Sequence, residues 1–133
     1  MDFDELLSLY FERSNALQTY WNVQITVGLG LLAFFASLKR VSQPCRLGWL
    51  FTLVYAAIAT SNFLALRDVT RTRLAVWASI NARILADEDA SLRTSLNKSL
   101  TTPSVATVFA VHLLGDAVVL TGLWYLLFHP MAT

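Results

Sequence analysis

The stretch Val105–Phe128, VATVFAVHLLGDAVVLTGLWYLLF, decides the class of fold, because its 24 residues are long and apolar enough to cross a bilayer. A transmembrane helix needs about 20 such residues. His112 and Asp116 lie near the middle of the stretch and are four residues apart, so on a helix they share one face. Ionisable side chains at membrane depth are rare and face protein or water. The pair is therefore the strongest candidate for a functional site.

The composition of the whole chain agrees with a membrane location. The 133 residues are 56% hydrophobic and only 14% charged, whereas soluble domains carry about 25% charged residues. The apolar residues form three blocks separated by polar segments. A net charge of +1 without a dense basic cluster predicts no nucleic-acid partner. The single cysteine excludes an intrachain disulfide.

These blocks predict an all-α membrane protein with one membrane domain, residues 1–133. We place an amphipathic N-terminal helix at 1–19, transmembrane spans at 20–38, 47–66 and 105–128, and a polar helical arm at 67–104. No proline separates the amphipathic helix from the first span, so one long helix is expected there. The beginning of the arm is expected to be an interfacial helix or a helical extension of the second span.

Lysine and arginine residues give conflicting indications of orientation. With three spans, the N-terminal segment and the arm lie on one side with seven basic residues, against three on the other side. That count favours a cytoplasmic N-terminus, although the residues flanking the first span alone argue the reverse. The acidic N-terminal segment is neither a secretory signal peptide nor a transit peptide. By elimination, the bacterial inner membrane is the expected location.

His112 and Asp116 permit three interpretations. Histidine ordinarily titrates near neutral pH and a carboxylate four residues away stabilises its charged form, which favours handling of protons or cations. Alternatively, the pair is a buried polar contact that fixes helix packing. Haem ligation by His112 is a third interpretation, but it needs a second histidine at similar depth. His129, the only other histidine, lies at the far end of the same span.

Two further polar sets lie on the first two spans. A stripe on the first helix has the spacing 4-3-4, which stacks its members along one face. The stripe is either a pore lining, or its upper half lies outside the bilayer and its lower half forms hydrogen bonds between helices. Its members are Asn15, Thr19, Asn22 and Thr26. On the second span, Tyr55 and Asn62 are seven residues apart and share a face. Either of them is placed to meet His112 or Asp116 across the bundle.

Nucleotide-binding, metalloprotease and serine-hydrolase motifs are missing from the sequence. We therefore predict no enzyme activity, no catalytic residues, no metal site and no cofactor. Two functions are favoured over a third, a membrane-perturbing or sensor protein in which the arm at 67–104 receives a signal. The first is a homo-oligomeric, channel-like assembly that conducts ions or protons. The second is a non-catalytic accessory or assembly subunit of a larger membrane complex.

Overall fold

The computed structural model describes residues 2–38, 42–86, 94–95, 98, 100 and 103–129, with the backbone alone for 84–86. Its three long helices are α1 (Phe3–Ser37), α2 (Pro44–Ala86) and α3 (Val105–Phe128). Each of them is long and apolar enough to cross a membrane. No strand occurs among the described residues. The predicted all-α membrane fold with three spans is confirmed.

Helix α1 begins in a capping box and continues without interruption through the first span. The Asp2 carboxylate accepts from the Phe3 amide at 2.6 Å, and the Asp2 amide donates to Glu5 at 2.7 Å. These bonds satisfy amide groups that have no partner inside the helix. The predicted amphipathic helix and first span are thus one helix of 35 residues, which ends at Ser37.

Helix α2 begins at Pro44, a residue whose fixed φ suits the first turn of a helix. Its 43 residues extend for about 65 Å at roughly 1.5 Å per residue. Because the hydrocarbon core of a bilayer is only about 30 Å thick, a large part of α2 must project beyond it. The beginning of the predicted polar arm is therefore an extension of the second span and not a separate interfacial helix.

The projecting halves of α1 and α2 pack on each other outside the predicted spans. Their shared core includes Leu6, Tyr10, Ile80 and Leu100. The Tyr10 hydroxyl donates to the carbonyl of Leu100 at 2.9 Å and accepts from Arg73 at 2.7 Å. The Arg73 guanidinium also lies 4.8 Å from the centroid of the Tyr10 ring, in a cation–π contact. Most of the remaining arm lies outside the described residues.

Two more apolar clusters follow along the antiparallel α1–α2 pair, each completed by α3. The nearer cluster contains Leu17, Leu66 and Val108. The farther one, at the other end of the spans, contains Phe35 and Leu123 among others. The three helices therefore pack together at two levels, and polar side chains of the spans meet between these two clusters.

Gly28 allows α1 and α3 to approach closely, and Gly30 provides a matched comparison. A Cβ atom at Gly28 would lie 2.8 Å from Cγ2 of Val119, whereas one at Gly30 would meet nothing within 4 Å. We expect Gly28→Leu to be less stable to unfolding than Gly30→Leu by about 2 kcal/mol, the usual cost of overpacking. Both substitutions raise helix propensity equally, so the difference isolates packing. Denaturation in mixed micelles measures it, and equal stabilities would contradict the placement of Gly28.

Candidate functional site

The site lies between the two apolar clusters of the spans, and all three helices contribute to it. Helix α1 provides Gln24, α2 provides Tyr55 and Asn62, and α3 provides His112 and Asp116. All of these side chains except that of Asp116 belong to buried residues. A polar cluster is thus enclosed by protein at membrane depth.

His112 and Asp116 form a direct contact. Nδ1 of the imidazole lies 2.8 Å from Oδ2 of the carboxylate, and the two side chains are 3% and 17% exposed. With Asp116 as an ionised carboxylate, which only accepts, Nδ1 carries the hydrogen in this contact. In the neutral imidazole this arrangement leaves Nε2 as an acceptor. The face of α3 that carries both His112 and Asp116 therefore points into the bundle.

The second carboxylate oxygen of Asp116 accepts two further hydrogen bonds. The Tyr55 hydroxyl donates to Oδ1 at 2.9 Å, and the amide of Gln24 donates to the same oxygen. Together with His112, three donors from three helices surround one carboxylate. Burial of an ionisable group is tolerated when its partners replace the lost water. This arrangement explains how the acidic side chain is accommodated in an apolar span.

Gln24 connects the two halves of the cluster, and sequence analysis missed it. Its amide nitrogen also donates to the Tyr55 hydroxyl at 2.9 Å, while its carbonyl oxygen accepts from Asn62 at 3.3 Å. Asn62 additionally donates to the backbone carbonyl of Tyr20 at 3.2 Å. The available signal was an amide side chain in the apolar first span, at helical spacing from Leu17 and Gly28. Of the two second-span residues, Tyr55 contacts Asp116 directly and Asn62 reaches it only through Gln24.

The polar stripe of α1 lies apart from this cluster. All four of its residues are exposed, and Thr19 donates to the Asn15 carbonyl of its own helix at 3.0 Å. Asn22 and Gln24 are two positions apart, about 200° around a helix, so the stripe and the cluster occupy nearly opposite faces. Within one protomer the stripe does not meet His112 or Asp116. Its interpretation as a pore lining or intermolecular contact remains a prediction.

One polar atom of the cluster has no partner among the described residues. Nε2 of His112 is buried without a hydrogen bond, and the rings of Trp21 and Phe63 lie 6.0 and 5.6 Å from the imidazole. An unsatisfied buried acceptor costs about 1–3 kcal/mol. His129, by contrast, caps the end of α3 and stacks on Tyr125 at 4.7 Å.

No group of three metal-ligating side chains occurs in the part of the chain that the structure describes. No protein-family model, curated protein or solved structure matches this chain. The class of the protein therefore follows from its own fold and site. It is a small multi-pass membrane protein, a three-helix bundle with a hydrogen-bonded polar centre inside its spans.

Proposed function

We propose that this protein conducts protons across the membrane as a homo-oligomeric, channel-like assembly. The observation that carries the proposal is the hydrogen-bonded series His112–Asp116–Tyr55, which joins α3 to α2 at the middle of the spans. Imidazole, carboxylate and phenol each take up and release a proton. Ionisable residues inside membrane spans commonly form proton relays of this kind. The Gln24 amide donates to both the Tyr55 phenol and the Asp116 carboxylate, which fixes their relative positions.

A proton suits this centre better than a hydrated metal cation. The side chains contact each other directly, and Tyr55 is only 3% exposed. A cation such as Ca²⁺ needs six to eight oxygen ligands in roughly regular geometry. A proton moves along existing hydrogen bonds and needs no such cavity. The chemistry of the described residues therefore supports proton transfer.

Assembly into an oligomer would cover the exposed polar stripe of α1. Asn22 and Thr26, the two stripe residues within the predicted first span, would otherwise face lipid, where no water replaces their hydrogen bonds. Contacts between copies of the chain would satisfy them, and closed symmetric rings are the usual form of homo-oligomers. We propose a cytoplasmic N-terminus, which would place the arginines of the projecting α2 segment beside anionic headgroups. The bacterial inner membrane remains part of this proposal.

Proton flux in proteoliposomes tests the proposal. With a potassium diffusion potential as driving force and an internal pH dye as readout, we expect Asp116→Asn to reduce flux at least about tenfold, since a positioned acid–base group contributes roughly 10²–10⁴-fold to proton transfer. Asp68→Asn is the matched control, because Asp68 is an exposed carboxylate beyond the predicted second span. Circular dichroism and size-exclusion chromatography verify that both variants fold. Equal flux in Asp116→Asn and the unmodified protein would contradict proton conduction through this centre.

A role as an accessory subunit is the second candidate, and the same exposed stripe favours it. The projecting half of α2 and the stripe on α1 both offer polar groups to a different protein. Native mass spectrometry from mild-detergent extracts separates the two proposals. A ring of identical chains supports conduction, whereas a fixed-ratio complex with a second protein supports the accessory role.

A further inference from the structure

An open groove of about 280 Å³ lies between α2 and α3, beside the polar centre. Phe63 and Phe109 form an aromatic wall, with their ring centroids 5.2 Å apart. Phe109 and Leu113 line the groove and are also among the exposed apolar residues of α3. The groove therefore opens on the outer surface of the bundle, which faces the acyl chains in a membrane.

His112 lines this groove together with its partners Asp116 and Tyr55. The side chain lines the groove, is 3% exposed and has the unpartnered Nε2 described above. Since the Asp116 carboxylate fixes the hydrogen on Nδ1, Nε2 of the neutral ring accepts and does not donate. A molecule that satisfies it must bring an O–H or N–H donor. Thr60 places a hydroxyl-bearing side chain on the same lining.

We infer that the groove binds the ring of a membrane-soluble hydroquinone, whose hydroxyl donates to Nε2 of His112. The aromatic wall favours a flat ring, since aromatic pairs stack or meet edge to face. A volume of about 280 Å³ lies at the lower edge of small-molecule pockets, which span roughly 300–1,000 Å³. The groove thus accepts a headgroup, and an apolar tail continues into the lipid. This binding site does not depend on the proposed proton conduction.

Access to Nε2 requires a small movement of one ring. The atom is covered in the unliganded bundle, and the Phe63 ring lies 5.6 Å from the imidazole. Phe63 lines the groove and is one of two aromatic rings beside the imidazole, so we expect its rotation to uncover the nitrogen while the helices stay in place. Side-chain rearrangements of this size are common on binding. The hydroquinone therefore enters from the lipid side and replaces an aromatic contact with a hydrogen bond.

Nitrogen-15 NMR of histidine-labelled full-length protein in nanodiscs tests this inference. The chain has two histidines, so His129 at the exposed end of α3 serves as an internal reference. We expect decylubiquinol, added under anaerobic conditions, to shift the Nε2 resonance of His112 and to leave His129 unchanged. The O-dimethylated form of the same molecule, which lacks the donor, should not shift it.

Two matched variants locate the bound ring. Ala56 lines this groove, so Ala56→Trp should fill it and abolish the shift. Gly30 lines a second groove, between α1 and α2, whose lining contains no histidine, so Gly30→Trp should preserve the shift. The inference is overturned if the dimethyl ether shifts the His112 resonance as much as decylubiquinol does. It is also overturned if dioleoylglycerol shifts the resonance and decylubiquinol does not, or if neither decylubiquinol nor dioleoylglycerol shifts it. The last outcome would mean that acyl chains alone occupy the groove.

Discussion

Asp116→Leu is expected to lower the free energy of unfolding by about 3 kcal/mol, because buried donors that lose their acceptor each cost roughly 1–3 kcal/mol. Leucine would leave three donors without an acceptor: Nδ1 of His112, the Tyr55 hydroxyl and the Gln24 amide. Single interhelical hydrogen bonds in membrane proteins contribute only about 0.6 kcal/mol on average. Only the bonds from Tyr55 and Gln24 cross between helices, and two independent bonds of that strength would give about 1 kcal/mol. A larger loss would therefore show that the carboxylate organises the cluster as one unit.

Titration with a denaturing detergent, followed by tryptophan fluorescence and circular dichroism, measures this loss. Asp68→Leu is the control, because Asp68 has an exposed side chain and only an exposed ion pair with Arg67. It should change stability by no more than about 0.5 kcal/mol. The double variant His112→Phe/Asp116→Leu should cost less than the sum of its single substitutions, since contacting residues are not additive. An Asp116→Leu protein as stable as the control would contradict the geometry of the cluster.

Gln24→Leu is expected to destabilise the bundle by about 2 kcal/mol, through the loss of hydrogen bonds from a buried amide. Whether Gln24→Leu lowers or raises the stability of the protein distinguishes two explanations. If hydrophobicity alone governed the first span, a leucine in place of glutamine would favour the membrane-inserted state. If Gln24 connects Asp116, Tyr55 and Asn62, its removal leaves buried groups unsatisfied. We therefore expect a more apolar span and a less stable protein.

Gln18→Leu provides the comparison for this substitution. Gln18 is exposed on the same helix, and the change adds the same apolar surface. We expect its effect on unfolding to lie within about 0.5 kcal/mol of zero. Both variants are measured by the same detergent titration. Equal effects of Gln18→Leu and Gln24→Leu would show that the amide of Gln24 has no structural role in the cluster.

The helices themselves could be predicted because their determinants are local. Apolar blocks of about 20 residues define the spans. Asp2 and Glu5 form the capping box at the beginning of α1, and Ser104 caps α3 by accepting from the Thr107 amide at 3.1 Å. Periodicity also placed Tyr55 and Asn62 on one face of the second span, and the Tyr55 side chain contacts Asp116. In each case the deciding interaction lies within a few residues or along one helical face.

The inward face of α1 could not be predicted because tertiary packing decides it. The regular spacing of four polar residues made the stripe a candidate for the inward face of α1, yet all four residues, Asn22 among them, are exposed. Gln24 lies inside instead, because its face also carries Leu17 and Gly28, which pack against the other helices. Likewise, Gly28 and Gly30 are equivalent in the sequence, but only Gly28 lies at a close approach between helices. The number of polar residues on a face does not reveal which neighbour covers it.

The central claim is that an imidazole and a carboxylate are hydrogen-bonded inside the membrane-spanning bundle. Solid-state NMR of the protein in lipid bilayers, with nitrogen-15 histidine and carbon-13 aspartate carboxyl labels, measures their dipolar coupling directly. We predict strong dephasing of one histidine Nδ1 by an aspartate carboxyl carbon, protection of that site from water exchange, and loss of the coupling in Asp116→Asn. No coupling in the unmodified protein, or a coupling that survives in Asp116→Asn, would contradict the account.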